Sequence, residues 1–159
     1  MAKLPLLALM ALCTFASVAL VNAVEFNIEG RVYCDTCRAG FETNVTEDIV
    51  GAKVRLECKG YKSGVLVYSV DGVTNSTGKY KIVAHDNHVD QICEVALVES
   101  PRPDCKEIFK NRSRAPVMLS DDNGISSFNR YPNSLGFLKD KPLDICGAIM
   151  KLYQPAEEY

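Results

Sequence analysis

Six cysteines beyond residue 23 limit what this chain can fold into more than any other feature: Cys34, Cys37, Cys58, Cys93, Cys105 and Cys146. A seventh, Cys13, lies in a stretch with the form of a secretory leader. Lys3 precedes the uncharged apolar run Leu4 to Val21, and Val21-Asn22-Ala23 offers the small residues a signal peptidase reads. Pro5 interrupts the run early and no basic stop-transfer cluster follows, so residues 1–23 are read as a cleaved signal peptide rather than a membrane anchor. The mature chain, residues 24–159, then enters an oxidising compartment with an even number of thiols. It reads as a secreted, extracellular domain with three disulfides. Spacing alone does not choose the pairing.

At this length one domain is expected, large enough to bury a real core. The formal net charge of −2 gives no electrostatic reason to expect nucleic acid or an anionic membrane as partner. No apolar run after the leader approaches bilayer length, so no membrane insertion is expected, and the chain is taken to be a monomer. Three N-x-Ser/Thr sequons agree with the secretory route, at Asn44, Asn75 and Asn111.

The hydrophobic pattern is that of strands. Phe26, Ile28, Gly30, Val32 and Cys34 alternate with Asn27, Glu29, Arg31 and Tyr33, which places the second set outward. Val54, Leu56 and Cys58 repeat the pattern. Further strands are read at 65–70, at 79–83 with Tyr80 and Ile82 on one face, and at 92–98 with Cys93, Val95 and Leu97 inward. Later candidates are 117–119, 126–131 and 135–138, and one short helix is read around 144–152. The expectation is an all-β, single-domain β-barrel or β-sandwich of about seven strands, with at most one short C-terminal helix.

Few residues point to chemistry. Cys34-Asp35-Thr36-Cys37 has C-x-x-C spacing, but Gly40 and the β-branched residues that follow make a poor helix start, so the dipole that activates such thiols is missing. Bridges to distant loops are the expected role. His85 and His88, with Asp86 and Asp90, could hold zinc or copper, yet the segment reads as an exposed polar turn without a further ligand. Lys106, Lys110, Arg112 and Arg114 form a basic run that reads as a solvated loop, its other reading being a binding patch for an acidic wall polysaccharide or receptor. No nucleophile elbow or phosphate loop occurs. No catalytic residue, cofactor or metal is assigned.

Gly30-Arg31-Val32-Tyr33-Cys34-Asp35-Thr36-Cys37-Arg38-Ala39-Gly40-Phe41 resembles the signature of the pollen Ole e I allergen family. The resemblance continues through 51–58, 92–95, Ser100 to Cys105 and Leu135-Gly136-Phe137, and so covers essentially the mature chain. It implies a secreted pollen glycoprotein with a β-barrel or sandwich core, some relatives being allergens and others extracellular ligands of pollen receptor kinases. It also implies the pairs Cys34–Cys105, Cys37–Cys146 and Cys58–Cys93, and it favours Asn44 as the glycan site. The chain departs from the pattern twice. Asn75 stands where relatives commonly have Asp before the turn glycine, and Pro132-Asn133-Ser134 replaces an Asn-Pro before Leu135.

The function expected is therefore a non-enzymatic extracellular ligand or matrix component in pollen development, hydration or tube growth, with a receptor-kinase ectodomain or cell-wall polymer as partner. A disulfide-rich protease inhibitor presenting Arg102 or Arg112 is the alternative. A thiol oxidoreductase using Cys34 and Cys37 is a third reading.

Overall fold

The computed structural model describes residues 24–154; the proposed leader, residues 1–23, and residues 155–159 lie outside the described part. Two sheets pack face to face in a β-sandwich rather than closing into a barrel. The first is built on one long strand, β1 (Glu25–Asp35). Along one side β1 pairs first with β5 (Lys79–His85) and then with the two-residue β2 (Glu47–Asp48), both antiparallel. Its other side takes β9 (Asn129–Arg130) and β10 (Leu135–Lys139), both parallel, and β7 (Cys105–Ile108) pairs with β10. The second sheet runs in the order β4 (Leu66–Val73), β3 (Lys53–Gly60), β6 (Gln91–Glu99), β8 (Arg114–Val117). One turn of 3-10 helix covers Lys110–Arg112, and among the described residues one α-helix, α1, spans Cys146–Lys151.

Alternation explains which faces meet. Val54, Leu56 and Cys58 of β3 stand opposite Leu97, Val95 and Cys93 of β6, and Phe26 and Ile28 of β1 opposite Ala84 and Ile82 of β5. All ten are buried in one core shared by the two sheets. Each fully buried Val, Leu, Ile or Phe contributes about 1.5–3 kcal/mol against leaving it in water. A smaller cluster of Cys37, Cys146 and Ile149 sits under α1.

Four sequence expectations need correction. Tyr33, expected outward, is 1% exposed. The alternation ends there because the chain covers both faces of β1 beyond Val32, and the Tyr33 ring lies across Gly136 of the neighbouring strand, where a Cβ would stand 2.6 Å from it. The expected strand at 126–131 shrinks to Asn129–Arg130, next to the turn-rich 121–124 segment and Pro132. The strand expected at 117–119 runs instead from Arg114 to Val117. It includes Pro116, which an edge strand tolerates because the missing N–H need not join the ladder. His88, read as exposed, is 6% exposed. Its ring packs at a tilt against Tyr68, 4.6 Å between centroids, and its nitrogens lie 3.0 Å from Gln91 Oε1 and 3.0 Å from the His85 carbonyl.

Candidate functional site

The signature segment is a structural joint. Asp35 is 1% exposed, and its carboxylate accepts the backbone N–H groups of Cys37 (3.2 Å), Ala39 (3.1 Å) and Gly40 (2.7 Å). One acidic side chain thus satisfies three donors of a tight loop in which Arg38 has φ of 53° and Gly40 of 80°. Held in this way, Arg38 reaches Glu107 through two nitrogens, at 2.7 and 2.8 Å, and donates to the Lys139 carbonyl at 2.6 Å. That one guanidinium connects the loop to β7 and β10.

The disulfides use the same joint. Cys34 is joined to Cys105, Cys37 to Cys146 and Cys58 to Cys93, across sequence separations of 71, 109 and 35 residues. Cys34 and Cys37 therefore bond distant partners and form no dithiol pair. His88 lies with Cys58 and Cys93 in a cluster whose possible ligand atoms are within 4.8 Å of one another. Both sulfurs are in the bridge, so the cluster offers an imidazole and no thiolate.

The basic run does not stay together in space. Lys106 and Lys110 are exposed, whereas Arg112 donates to the Gly40 carbonyl at 2.7 Å. Arg114 crosses the outer face of the second sheet to Glu57 and Glu94. Arg102 is held by Glu47 and by both oxygens of Asp104. Its guanidinium, together with Lys139, keeps the Asp104 carboxyl far below the usual aspartate range. Arg102 and Arg112 are thus engaged inside the molecule, and neither projects in the manner of an inhibitor's inserted residue. The three sequon asparagines Asn44, Asn75 and Asn111 are all exposed.

A concave site arises from a gap in the first sheet. On the β9/β10 side, Asn27 and Ile28 of β1 pair with β9, and pairing resumes only at Val32 with β10. Between them the chain swings outward through Tyr131, Pro132, Asn133 and Ser134, and Pro132 has no N–H with which to continue a ladder. Glu29, Gly30 and Arg31 are left without a strand partner on that side. The result is a cleft of about 630 Å³, lined on the β1/β5 side by Glu29, Arg31, Lys79 and Lys81 and on the loop side by Tyr131 and Ser134. Asn75 lies at its edge. Gly30 and Tyr80 also line it. A Cβ at Gly30 would stand 2.2 Å from the Tyr80 hydroxyl, which is buried without a hydrogen-bond partner. Burial pushes that phenol's ionisation well above its ordinary value, so it stays neutral.

Sequence reasoning took Lys79 to Val83 as a strand and 132–134 as an altered loop, with nothing to join them. The signal that bore on the cleft was the proline in a segment otherwise able to pair. Both departures from the family pattern, Asn75 and Pro132 to Ser134, fall on this cleft.

Comparison with known proteins follows the same outline. A family model described as "Pollen protein Ole e 1 like" matches residues 24–154. The pollen-specific protein C13 of Zea mays is 51% identical over 90% of this chain and 86% of its own length. The anther-specific protein LAT52 of Solanum lycopersicum is 40% identical, covering 89% of this chain and 88% of its own. Among solved structures, the major plantain pollen allergen Pla l 1 superposes with a TM-score of 0.68 at 31% identity, over 76% of this chain and 98% of that one. Fold, signature and these relatives agree, and the chain belongs to the pollen Ole e 1 like protein family.

Proposed function

We propose that this protein is a secreted, non-enzymatic pollen glycoprotein that acts outside the cell as a ligand or matrix component during pollen development, hydration or tube growth. The observation that carries the reading is the match, across nearly the whole chain, to relatives named as pollen-specific and anther-specific. An allergenic role in exposed humans is part of the same proposal, supported by the plantain allergen's similarity. The chemistry of the described residues is in keeping with a binding protein. All six cysteines of the described residues are bridged, His88 is packed in the interior, and the two arginines considered for inhibition are tied down. The cleft beside Tyr131 is the surface we take to meet the partner, because it combines concavity with unpaired polar groups on a rigid sheet.

The test is made on germinating pollen. Epitope-tagged protein should appear in the germination medium with its leader removed, and should bind the tube surface saturably. Retention of the tagged protein inside the cell, or non-saturable adsorption indistinguishable from that of an unrelated acidic protein, would remove the reading.

A further inference from the structure

The lining of the cleft specifies a kind of ligand. Three cations, Arg31, Lys79 and Lys81, stand there against one acid, Glu29, in a chain whose formal net charge is −2. The lining is richer in cations than in acids, though not all of them are free. Arg31 is already held by Glu42 and Asp48. Lys81 approaches Glu29 only loosely, at 3.6 Å, with both side chains about half exposed. Among the described residues Lys79 pairs with no carboxylate. What remains available is thus one free ammonium and one loosely held one, two residues apart on the same face of β5.

Beside them the Tyr131 ring is 70% exposed and part of the cleft lining. An aromatic face in water next to hydrogen-bonding groups suits the flat C–H face of a pyranose. Asn75 and Ser134 supply small polar groups around it. A phosphate ligand fits less well. Phosphate sites use a free arginine fork or converging backbone N–H groups. Here the arginine is already occupied by Glu42 and Asp48, and in a strand only alternate N–H groups of Glu29 to Arg31 face the gap, so they do not converge on one point. A neutral glycan would leave Lys79 without a counter-charge. Ammonium groups acting as point charges suit single, spaced carboxylates.

We propose that this cleft binds an acidic oligosaccharide, with Lys79 and Lys81 meeting uronate carboxylates while Tyr131 stacks on a sugar ring. The inference rests on the reading that the cleft is the protein's extracellular binding surface, and it names the ligand class. Asn75 is a sequon on the rim, so an attached glycan would stand in the same opening. For that reason the test uses the mature chain made without N-glycans in an oxidising bacterial periplasm, its three bridges verified by non-reducing mass spectrometry.

Isothermal titration with hexagalacturonate should show saturable binding. The fully methyl-esterified hexamer should bind at least about tenfold more weakly, as should the acidic hexamer to K79Q/K81Q and to Tyr131→Ala. Lys106→Gln, outside the cleft, should bind like the wild type. All substituted side chains are exposed, and unchanged bridges and far-UV spectra verify folding. The proposal is overturned if the acidic hexamer does not bind, if the cleft variants bind it as tightly as wild type, if the esterified hexamer binds equally well, or if equimolar inorganic phosphate displaces the hexamer. Should hexagalacturonate fail while saturable binding to pollen tubes persists and is lost in Tyr131→Ala, the sugar assignment falls and the extracellular reading stands. Loss of both removes both.

Discussion

At Asp35 a single carboxylate holds three backbone N–H groups, and that count makes the position intolerant of change. Asp35→Ala leaves three buried or half-buried donors unpaired and should cost about 2–4 kcal/mol, read as a lower midpoint in urea unfolding with an unchanged slope. Asp35→Asn keeps one acceptor oxygen and should fall between wild type and alanine. If alanine matched wild type, the loop would be held by its disulfide and the Arg38 and Arg112 contacts instead. Tyr80 and Tyr33 make a related point: each ring lies where a glycine, Gly30 or Gly136, leaves no Cβ in the way. The glycines in the signature and in Leu135-Gly136-Phe137 are thus explained by the aromatic rings they admit.

Among the elements, the segment between β8 and β9 depends on Arg130. This residue is 5% exposed and donates to the carbonyls of Met118 at 2.7 Å, Ser120 at 3.0 Å, Asn129 at 3.1 Å and also Ser127. Its guanidinium lies 5.0 Å from the centre of the Phe26 ring. A planar fork can serve several carbonyls at once where a lysine cannot. Arg130→Lys should therefore loosen residues 118–129 ahead of the sheets, costing about 1–3 kcal/mol. Hydrogen exchange should locate the change. Uniform protection across that segment in the variant would show that the arginine does not organise it. β4 and β8, the edges of the second sheet, carry Asp71 and Arg114, whose pairing with Arg55 and with Glu57 and Glu94 places charge on exposed edges and discourages pairing with another chain.

On the scale of the molecule, ion pairs set the response to acid. Glu57, Asp71, Glu99, Asp104 and Glu107 all have carboxyls held below their ordinary values, each chiefly through a hydrogen bond from Arg114, Arg55, Lys53, Arg102 and Arg38 respectively. A folded-state pKa below the unfolded one contributes stability that is complete above the unfolded value and disappears as pH falls through the folded value. Melting temperature should hold steady near neutrality and decline below pH of about 4.5, with added salt reducing the change because these pairs are largely exposed. A melting temperature that rose on acidification would contradict the sign. The bridges act more strongly. Replacing Cys58 and Cys93 together by alanine should lower stability by about 2–5 kcal/mol, measurable by urea unfolding, and should also loosen His88, whose ring lies against that pair.

Much of this was legible in the residues. Alternation in β1, β3, β5 and β6 is a local property, because successive side chains of a strand face opposite ways whatever the rest of the chain does. That alone indicated an all-β core and the inward positions of Phe26, Ile28, Val54, Leu56, Val95 and Leu97. The even cysteine count indicated a domain with three bridges, while the pairing came from family resemblance and not from spacing. What the chain could not display locally is whatever depends on elements far apart in sequence. Tyr33 is buried because residues a hundred positions later lie beside it, and the basic run is dispersed because Arg112 turns to the loop carbonyl of Gly40 while Arg114 turns to Glu57 and Glu94 of the second sheet. The cleft exists only because β9 and β10 flank β1 without meeting, which no window of sequence contains. Periodicity reports one strand's two faces, whereas a gap between strands is a property of their arrangement, and only the tertiary structure decides it.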